Sequence, residues 1–324
     1  MSKKIFIIIL VTLSLGVFLV QYSYGEEYPT KAIEILCTVT PGSSMDIISR
    51  LIAGISSKYL GQPVVVVNKE GASGSVAVSD IISSKPDGYK LLIHASTYFT
   101  TVKTQKVPFD PNNVVPIASF AENKHVMVVK SDSPWKTLND LLDYGRKNPN
   151  KLTWAVAGRG IPIHLKGLMV FKKAGIETKA IPYKGSPEVL SALLGGHVDA
   201  SIMVYGGVKD HVTTGRVRCL ISLSERRYID LPDVPSANEL NFPEVAKISA
   251  LIGVYAHKNT PEDIKKILFD VFKKTYENPE FKKGIENLGE ELRFEGPESL
   301  KEIIKKTQEV GVPILKELGL YVEK

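Results

Sequence analysis

The chain has 324 residues, of which 44% are hydrophobic and 23% charged, and it carries a formal net charge of +6. This composition is typical of a globular protein and excludes a largely disordered chain, while the length suits one large or two medium domains. The positive excess is mild and no block of Lys and Arg with interleaved aromatic residues occurs, so we expect no nucleic-acid partner.

The first 25 residues have the pattern of a secretory signal peptide. Lys3 and Lys4 precede an uncharged apolar run over residues 5–20, and Ser23 and Gly25 supply the small residues of a cleavage site after Gly25. The alternative is an uncleaved anchor, although the run is shorter than the roughly 20 residues that a membrane-spanning helix needs. Cleavage would remove two lysines and no acid, which leaves a net charge of +4. The prediction is a protein exported to the periplasm.

Beyond this segment, short apolar runs alternate with amphipathic segments. The nine runs that predict strands cover residues 32–39, 63–67, 89–94, 126–129, 152–156, 178–181, 200–205, 217–223 and 250–256. The predicted helices between them have apolar residues three or four apart, as in the stripe of Ile47, Ile48, Leu51, Ile52 and Ile55. Alternation of this kind predicts an α/β fold with mainly parallel sheets. Nine strands exceed the usual five or six of one sheet, which favours two lobes.

No repeat or flexible linker marks a boundary between the lobes. We therefore expect the chain to cross between them in extended segments, for which residues 116–128 and 247–257 are the candidates. The predicted division is residues 26–122 with 250–324 for the first lobe and residues 123–249 for the second. Open α/β sheets bind ligands at the carboxyl ends of their strands, so a cleft between the lobes is the predicted site.

The sequence shows no catalytic or metal-binding set. Metal-ligand spacing is absent among the six histidines, at positions 94, 125, 164, 197, 211 and 257. The stretch from Gly71 to Gly74 has Ser75 where a nucleophile elbow needs its second glycine. The loop around Arg159 lacks the third glycine of a dinucleotide-binding motif. We expect no cofactor, no metal and no enzymatic activity.

Cys37 and Cys219 are the only cysteines, and each lies in an apolar, strand-like run. An exported protein could join them in a disulfide, but cysteines in buried strands are more often free. The sequence leaves both states open.

A polar loop containing glycine leads from the first strand into a helix, and such loops hold anions on exposed N–H groups. Gly42 lets the backbone approach a ligand, while Ser43 and Ser44 offer hydroxyls at the helix start. The alternative is an ordinary helix capped by Ser43 or Ser44. The predicted binding residues of this first loop are Thr40, Gly42, Ser43, Ser44, Met45 and Asp46.

A second loop follows the strand over residues 152–156. Arg159 could bind a carboxylate through two hydrogen bonds or could be a solvated charge. His164 has no acid or nucleophile placed beside it, so we expect a structural hydrogen bond rather than a base. The candidates here are Ala157, Gly158, Arg159, Gly160, Ile161 and His164. Tyr183 begins a third loop, and Met203 in a later strand is pocket lining or core.

Several motifs recur together in collinear order, namely TPGSSMDIISRLIA, KPDGY, IPYKGSPEVLSALLGGHVDA and LPDVPS. With them the chain resembles the solute receptors of tripartite tricarboxylate transporters, also called the Bug family, from Tyr28 to about Leu320. The resemblance implies a periplasmic binding protein of type II, with two mixed sheets flanked by helices. Its two lobes would close on a small organic anion and deliver it to integral-membrane transporter subunits. It also places Ser96 and Thr97 in the cleft. We expect a monomer.

Three departures from the family pattern concern the ligand. Met45 replaces a hydroxyl in the first loop, Ile-Pro-Ile at residues 161–163 replaces a Ser/Thr-rich run, and Met203 stands where an aspartate is usual. Together with Arg159, these changes predict a monoanion with an apolar or aromatic body rather than citrate.

Two other functions stay open at this point. A liganded receptor of this kind can engage a membrane histidine kinase as a sensor, which the sequence does not distinguish from transport. A hydrolase or isomerase using His164 and Arg159 is the remaining alternative, and it lacks a placed nucleophile or acid.

Overall fold

The structure is a computed structural model that describes residues 28–322. The predicted signal peptide, residues 1–25, lies outside the described residues. In the described part of the chain, no helix combines the length and hydropathy needed to cross a membrane. The strands are β1 Ile33–Cys37, β2 Val64–Asn68, β3 Lys90–Ala95, β4 Val114–Glu122, β5 His125–Lys130, β6 Thr153–Val156, β7 Lys179–Pro182, β8 Ala200–Val204, β9 Val217–Ser222, β10 Leu251–His257 and β11 Glu291–Leu292.

Helices connect most of these strands. They are α1 Ser44–Leu60, α2 Ser75–Ser83, α3 Tyr98–Thr101, α4 Leu138–Lys147, α5 Pro162–Lys173, α6 Ser186–Leu194, α7 Lys209–Thr213, α8 Pro243–Ala246, α9 Glu262–Glu277, α10 Pro279–Asn287 and α11 Pro297–Glu317.

The strands form two mixed sheets. The first has the order β11-β4-β10-β3-β1-β2, in which β1 is parallel to β2 and β3, and β10 is antiparallel to β3 and β4. The second has the order β7-β6-β8-β5-β9, in which β6 is parallel to β7 and β8, and β5 is antiparallel to β8 and β9. Helices flank both sheets, so the two-lobed α/β fold with two mixed sheets is confirmed. The expectation of mainly parallel sheets is wrong, because β4, β5, β10 and β11 pair with their neighbours in the antiparallel sense.

Apolar residues cover both faces of the first sheet. On one face Ile48 and Ile52 of α1 pack with Phe272 of α9 around Phe120. The predicted stripe on α1 therefore faces the core, with Ile47 at its exposed margin. The opposite face is covered by α2, α3 and α11. Burial of these side chains from water is the main stabilising contribution to the lobe.

The second sheet is covered in the same way. Trp154 packs against α4 and α5 on one face, and Val189 and Leu193 of α6 pack against the other. Alternate residues of one strand serve the two faces, as the twofold period of a strand requires. The two free thiols belong to different sheets, Cys37 in β1 and Cys219 in β9. Burial raises the pKa of Cys37 and raises that of Cys219 to about 12.

Two extended segments join the sheets. One runs from β4 to β5 through Asn123, and the other enters β10 through Ala250, whose carbonyl accepts a hydrogen bond from Asn123 N at 3.1 Å. Helix α11 also spans both parts. Its Leu300 lies in the core of the first sheet, whereas Leu315 packs against Leu165 of α5.

The nine strands predicted from apolar runs are all present. Strand β4 and the two-residue strand β11 were not predicted as strands, although residues 116–128 were predicted as a crossing. That stretch holds the end of β4 and the start of β5.

Candidate ligand-binding site

The carboxyl ends of three strands lie side by side in the first lobe. At the end of β1, Thr38 Oγ1 donates a hydrogen bond to the carbonyl of Ile93 in β3 at 3.4 Å. At the end of β2, Asn68 Nδ2 donates to the carbonyl of Val39 at 3.0 Å. The first predicted loop therefore begins at an edge that it shares with the loops after β2 and β3.

Neither serine of the first loop caps α1. Ser43 is the N-cap residue, but its hydroxyl donates to the carbonyl of Thr40 at 2.8 Å and makes no capping bond. The Ser44 hydroxyl donates instead to Glu290 Oε1 at 2.7 Å. The alternative of a serine-capped helix is therefore wrong. Gly42 has a φ of +81°, a value that favours glycine. A Cβ atom at this position would have no heavy atom within 4 Å.

Asp46 has a structural role within this loop. Its buried carboxylate accepts hydrogen bonds from Gly42 N at 2.9 Å, from Asn68 Nδ2 at 2.8 Å and from Arg50. Burial opposes ionisation, but the bonds from Arg50, Gly42 and Asn68 hold the pKa of Asp46 below its ordinary value. Because these partners are all internal, the expected contact between its side chain and a ligand is not supported by this geometry.

Glu290 is a residue that the sequence did not identify. It follows α10, is 2% exposed, and accepts hydrogen bonds from Ser44 at 2.7 Å and from Asn123 Nδ2 at 3.1 Å. Burial raises its pKa, against the opposing effects of those two bonds and of the Lys124 charge. An acid found 246 residues from Ser44 in sequence therefore lies at the start of α1.

Ser96 and Thr97 follow β3, but their roles differ. Ser96 is fully buried, and its hydroxyl donates to the carbonyl of Ser249 at 2.9 Å and accepts from Leu251 N at 3.0 Å. It thus attaches β3 to the segment entering β10 and does not present its hydroxyl to a cleft. The hydroxyl of Thr97 has no hydrogen-bond partner among residues 28–322, so it stays a candidate contact.

The second loop has the backbone conformation of a ligand-approaching turn. Gly158 and Gly160 have φ values of +110° and +76°, and Ala157 and Ile161 are half-buried against the core. Helix α5 then begins after Ile161 without a side-chain cap and with Pro162 in its first turn. Its leading N–H groups are therefore not satisfied by a capping side chain.

His164 makes the structural hydrogen bond expected of it. Its Nδ1 accepts from Gly160 N at 2.9 Å, which assigns the proton of the neutral ring to Nε2. Burial, followed by the positive charge of Arg159, lowers the pKa of His164 to about 4. The imidazole is thus neutral at pH 7 and holds the loop shape.

Arg159 is exposed and makes no side-chain hydrogen bond or ion pair with any residue in the described range 28–322. Arg146 and Arg227, by contrast, each form an ion pair with a carboxylate. An unpaired guanidinium beside an uncapped helix start is available for an anion.

Met203 lies in the core, and Tyr183 lies beside α6. Met203 is 1% exposed and belongs to the core between the second sheet and α6, because alternate residues of β8 face that side. Tyr183 lines a groove along α6 with Pro187 and His197. The position of Met203 therefore does not support its predicted contact with ligand, whereas the contact predicted for Tyr183 stays a prediction.

Two contacts between the lobes involve strand-end loops of the second lobe. A Cβ atom on Gly206, just after β8, would lie 2.7 Å from the carbonyl oxygen of Leu288. A Cβ atom on Gly160 would lie 3.5 Å from Cγ2 of Thr104. The loops after β8 and after β6 of the second lobe therefore both lie against the first lobe.

A cavity of about 570 Å³ lies near the crossing segments, but it contains neither predicted loop. Its charges are largely paired, since Arg293 binds Glu122 at 2.6 Å and Glu295 at 3.1 Å. Among the described residues no group of three His, Cys, Asp or Glu is arranged to hold a metal.

Residues 48–320 match the sequence profile of the tripartite tricarboxylate transporter family receptor, TctC. The chain belongs to this receptor family. The resemblance carried by the motifs is thus confirmed. Because TctC proteins are solute-binding receptors, the hydrolase or isomerase using His164 and Arg159 is rejected.

Curated relatives extend over most of this TctC receptor. It is 32% identical to the UPF0065 protein in the gbd 5′ region of Cupriavidus necator, covering 91% of this chain and 90% of the relative. It is also 32% identical to protein BugT of Bordetella pertussis, covering 74% of each.

Solved structures share its fold. A TctC solute-binding protein from Polaromonas, without ligand, superposes with a TM-score of 0.78 at 26% identity, covering 89% of this chain and 99% of that one. An R. palustris protein solved with adipate superposes with a TM-score of 0.77 at 25% identity, covering 90% and 99%.

Proposed function

We propose that this TctC-family chain is an extracytoplasmic receptor that captures a small organic anion by closure of its lobes. It then delivers the anion to the membrane subunits of a tripartite tricarboxylate-type transporter. The observation that carries the proposal is the second loop, in which an unpaired Arg159 adjoins the uncapped start of α5. Backbone N–H groups and a guanidinium are the donors that a carboxylate prefers.

Lobe closure is supported by the two-sheet architecture. Two extended segments and α11 connect the lobes, and loops from both lobes adjoin the same edges. A ligand that contacts both lobes favours the closed form by its extra affinity for that form.

The ligand we propose is a monoanion with an apolar or aromatic body. Half-buried Met45 and Ile161 adjoin the two helix starts and offer apolar surface beside the polar donors. Met203 no longer supports this preference, because it lies in the core. The adipate in the R. palustris protein supports the broader class of carboxylates.

Calorimetry on the exported protein, unfolded and refolded to remove any co-purified ligand, tests the proposal. The panel would contain benzoate, 4-methylpentanoate, adipate, malate and citrate. We expect micromolar binding of an aromatic or branched monoacid and none of citrate. Binding of citrate or malate alone would overturn the ligand preference, whereas no binding of any carboxylate at millimolar concentration would overturn the proposed function.

Delivery to a transporter has its own test. Vesicles containing the two membrane subunits should accumulate the ligand only when the liganded receptor is supplied. Uptake at the same rate without the receptor would contradict the delivery role.

A further inference from the structure

Acidic side chains gather at one end of the interface between the lobes, which we call the acidic end. It comprises the starts of α1 and α6 and the segment from Leu288 to Glu290. Asp46 lies in the first turn of α1 and Glu188 in that of α6, and Glu290 accepts from Ser44. The positive ends of both helices therefore already face carboxylates of the protein itself.

Short distances place these groups together. A Cβ atom on Gly289, beside Glu290, would lie 3.4 Å from Cα of Gly206 in the second lobe. A Cβ atom on the next residue, Gly207, would lie 3.8 Å from Cβ of Ser186, where α6 begins. The turn after β8 thus connects the start of α6 to the segment that carries Glu290.

The other end has the opposite character, and we call it the basic end. It comprises the starts of α2 and α5 with Arg159. Neither helix has an acid in its first turn. Gly160 lies next to Thr104, and the following Gln105 donates to the carbonyl of Ala72 at 3.1 Å and to Ser75 Oγ at 2.8 Å. The two acid-free helix starts are therefore linked across the lobes through Gly160, Thr104 and Gln105, and Arg159 directly precedes Gly160 in the chain.

Nearby cations leave Glu290 without a full counter-charge. The buried ammonium of Lys124 is shared with Asp230 at 2.7 Å and Glu291 at 3.5 Å. Lys209 approaches Gly289 with the aliphatic part of its side chain, since its Cδ would lie 3.4 Å from a Cβ atom on Gly289. Since Glu290 is 2% exposed, solvent screens its charge poorly.

We propose that Glu290 determines specificity by fixing the orientation and the charge of the ligand. The ligand carboxylate binds at the basic end, its apolar body extends past Met45 toward the acidic end, and a second carboxylate there is repelled by Glu290. This inference rests on the proposed function and adds to it the residue that rejects dianions.

Adipate and its monomethyl ester are suitable probes, because they share length and shape and differ by one charge. Affinities would be measured at pH 8, where both adipate carboxylates are ionised. The alkaline pH also favours the ionised form of Glu290, whose pKa is raised by burial. Wild-type protein should prefer the ester. Glu290→Gln should shift the adipate-to-ester affinity ratio toward adipate by on the order of tenfold, as expected for one unit charge across a small cleft at an effective dielectric constant near 20.

Glu286→Gln is the matched control, because it removes an exposed carboxylate of α10 four residues earlier. Its ratio should equal that of the wild type. Should Glu290→Gln not fold, the preference of the wild type between adipate and its ester still tests the proposed repulsion, and Arg159→Gln tests where the carboxylate binds. It should weaken both probes by the same factor, since both place a carboxylate at the basic end.

The outcomes separate the two proposals. If neither probe nor any acid of the panel binds the wild type, the proposed function fails. If another diacid binds better, that diacid and its half ester replace adipate. If the wild type prefers the diacid, or if Glu290→Gln changes both affinities equally, the receptor function stands and the role of Glu290 is wrong.

Discussion

The carbonyl oxygen of Leu288 in the first lobe lies 2.7 Å from the position that a Cβ atom on Gly206 of the second lobe would take. A real Cβ atom does not approach a backbone oxygen so closely, and backbone cannot rotate away as a side chain can. Gly206→Ala should therefore push the lobes apart and destabilise the contact by roughly 1–3 kcal/mol.

Small-angle scattering with and without ligand would measure this effect, together with the ligand affinity. Gly207→Ala is the matched control, because its Cβ atom would make an ordinary 3.8 Å contact with Ser186. On addition of ligand, we expect the radius of gyration of Gly206→Ala to decrease less than that of Gly207→Ala. We also expect Gly206→Ala to bind the ligand more weakly. Identical behaviour of the two variants would show that this contact is absent from the closed state.

Arg159→Ala tests the cation at the basic end. Because the guanidinium has no hydrogen-bond or ion-pair partner within residues 28–322, its removal breaks no ion pair there and should leave the free energy of unfolding unchanged. Binding of a carboxylate should weaken by about 1.5–3 kcal/mol, the usual loss for a hydrogen bond to a charged group. Calorimetry would compare it with Arg216→Ala, another exposed arginine, placed at the far start of β9. Unchanged affinity would mean that Arg159 points into solvent.

His164 should make stability depend on pH. Its pKa is lowered to about 4 in the folded protein, from an ordinary value near 6.5. The unfolded chain therefore takes up the proton first as the pH falls. The stability contribution is fully present above pH 6.5 and is lost between pH 6.5 and 4, by roughly 3 kcal/mol at the lower limit.

His164→Asn removes this titration and keeps an acceptor for Gly160 N. Urea unfolding at pH 7 and at pH 4 would give the free energy of unfolding for each protein. Between pH 7 and pH 4, the free energy of unfolding of the wild type should fall by about 3 kcal/mol more than that of the variant. Any contribution from His94 and His125 is the same in both proteins. Parallel pH profiles would contradict a neutral, buried imidazole.

The strands could be predicted because each is a short apolar run bounded by polar residues. Strand β11 was not predicted, because two residues are too few to show an alternation of apolar and polar residues. The strand is defined by its pairing with Glu122 and Ala121 of β4. The capping hypothesis for Ser44 failed for a related reason. A hydroxyl beside a helix start ordinarily caps it, but an acid 246 residues away accepts its hydrogen bond here.

The candidate site was predictable at the level of loops and not of side chains. Both loops adjoin helix starts, as the strand-to-helix pattern indicated. Whether a given side chain faces a ligand depends on its tertiary hydrogen-bond partners. Asp46 accepts a hydrogen bond from Asn68, and Ser96 donates one to the carbonyl of Ser249. Whether Arg159 has an ion-pair partner likewise depends on the folded chain, and among residues 28–322 it has none.

Met45 supplies the last prediction. The side chain is half-buried at the start of α1, and its sulfur lies 3.8 Å from Thr38 Oγ1 at the cleft edge. If the apolar body of the ligand packs there, Met45→Thr should weaken a monoacid by roughly 1–2 kcal/mol through lost apolar contact, and should strengthen binding of hydroxylated malate. Calorimetry with the monoacid and with malate separates a lost apolar contact from a general defect, because a misfolded loop would weaken the binding of both acids. Urea unfolding would confirm that the variant is folded. Equal changes for the two acids would show that Met45 does not contact the ligand body.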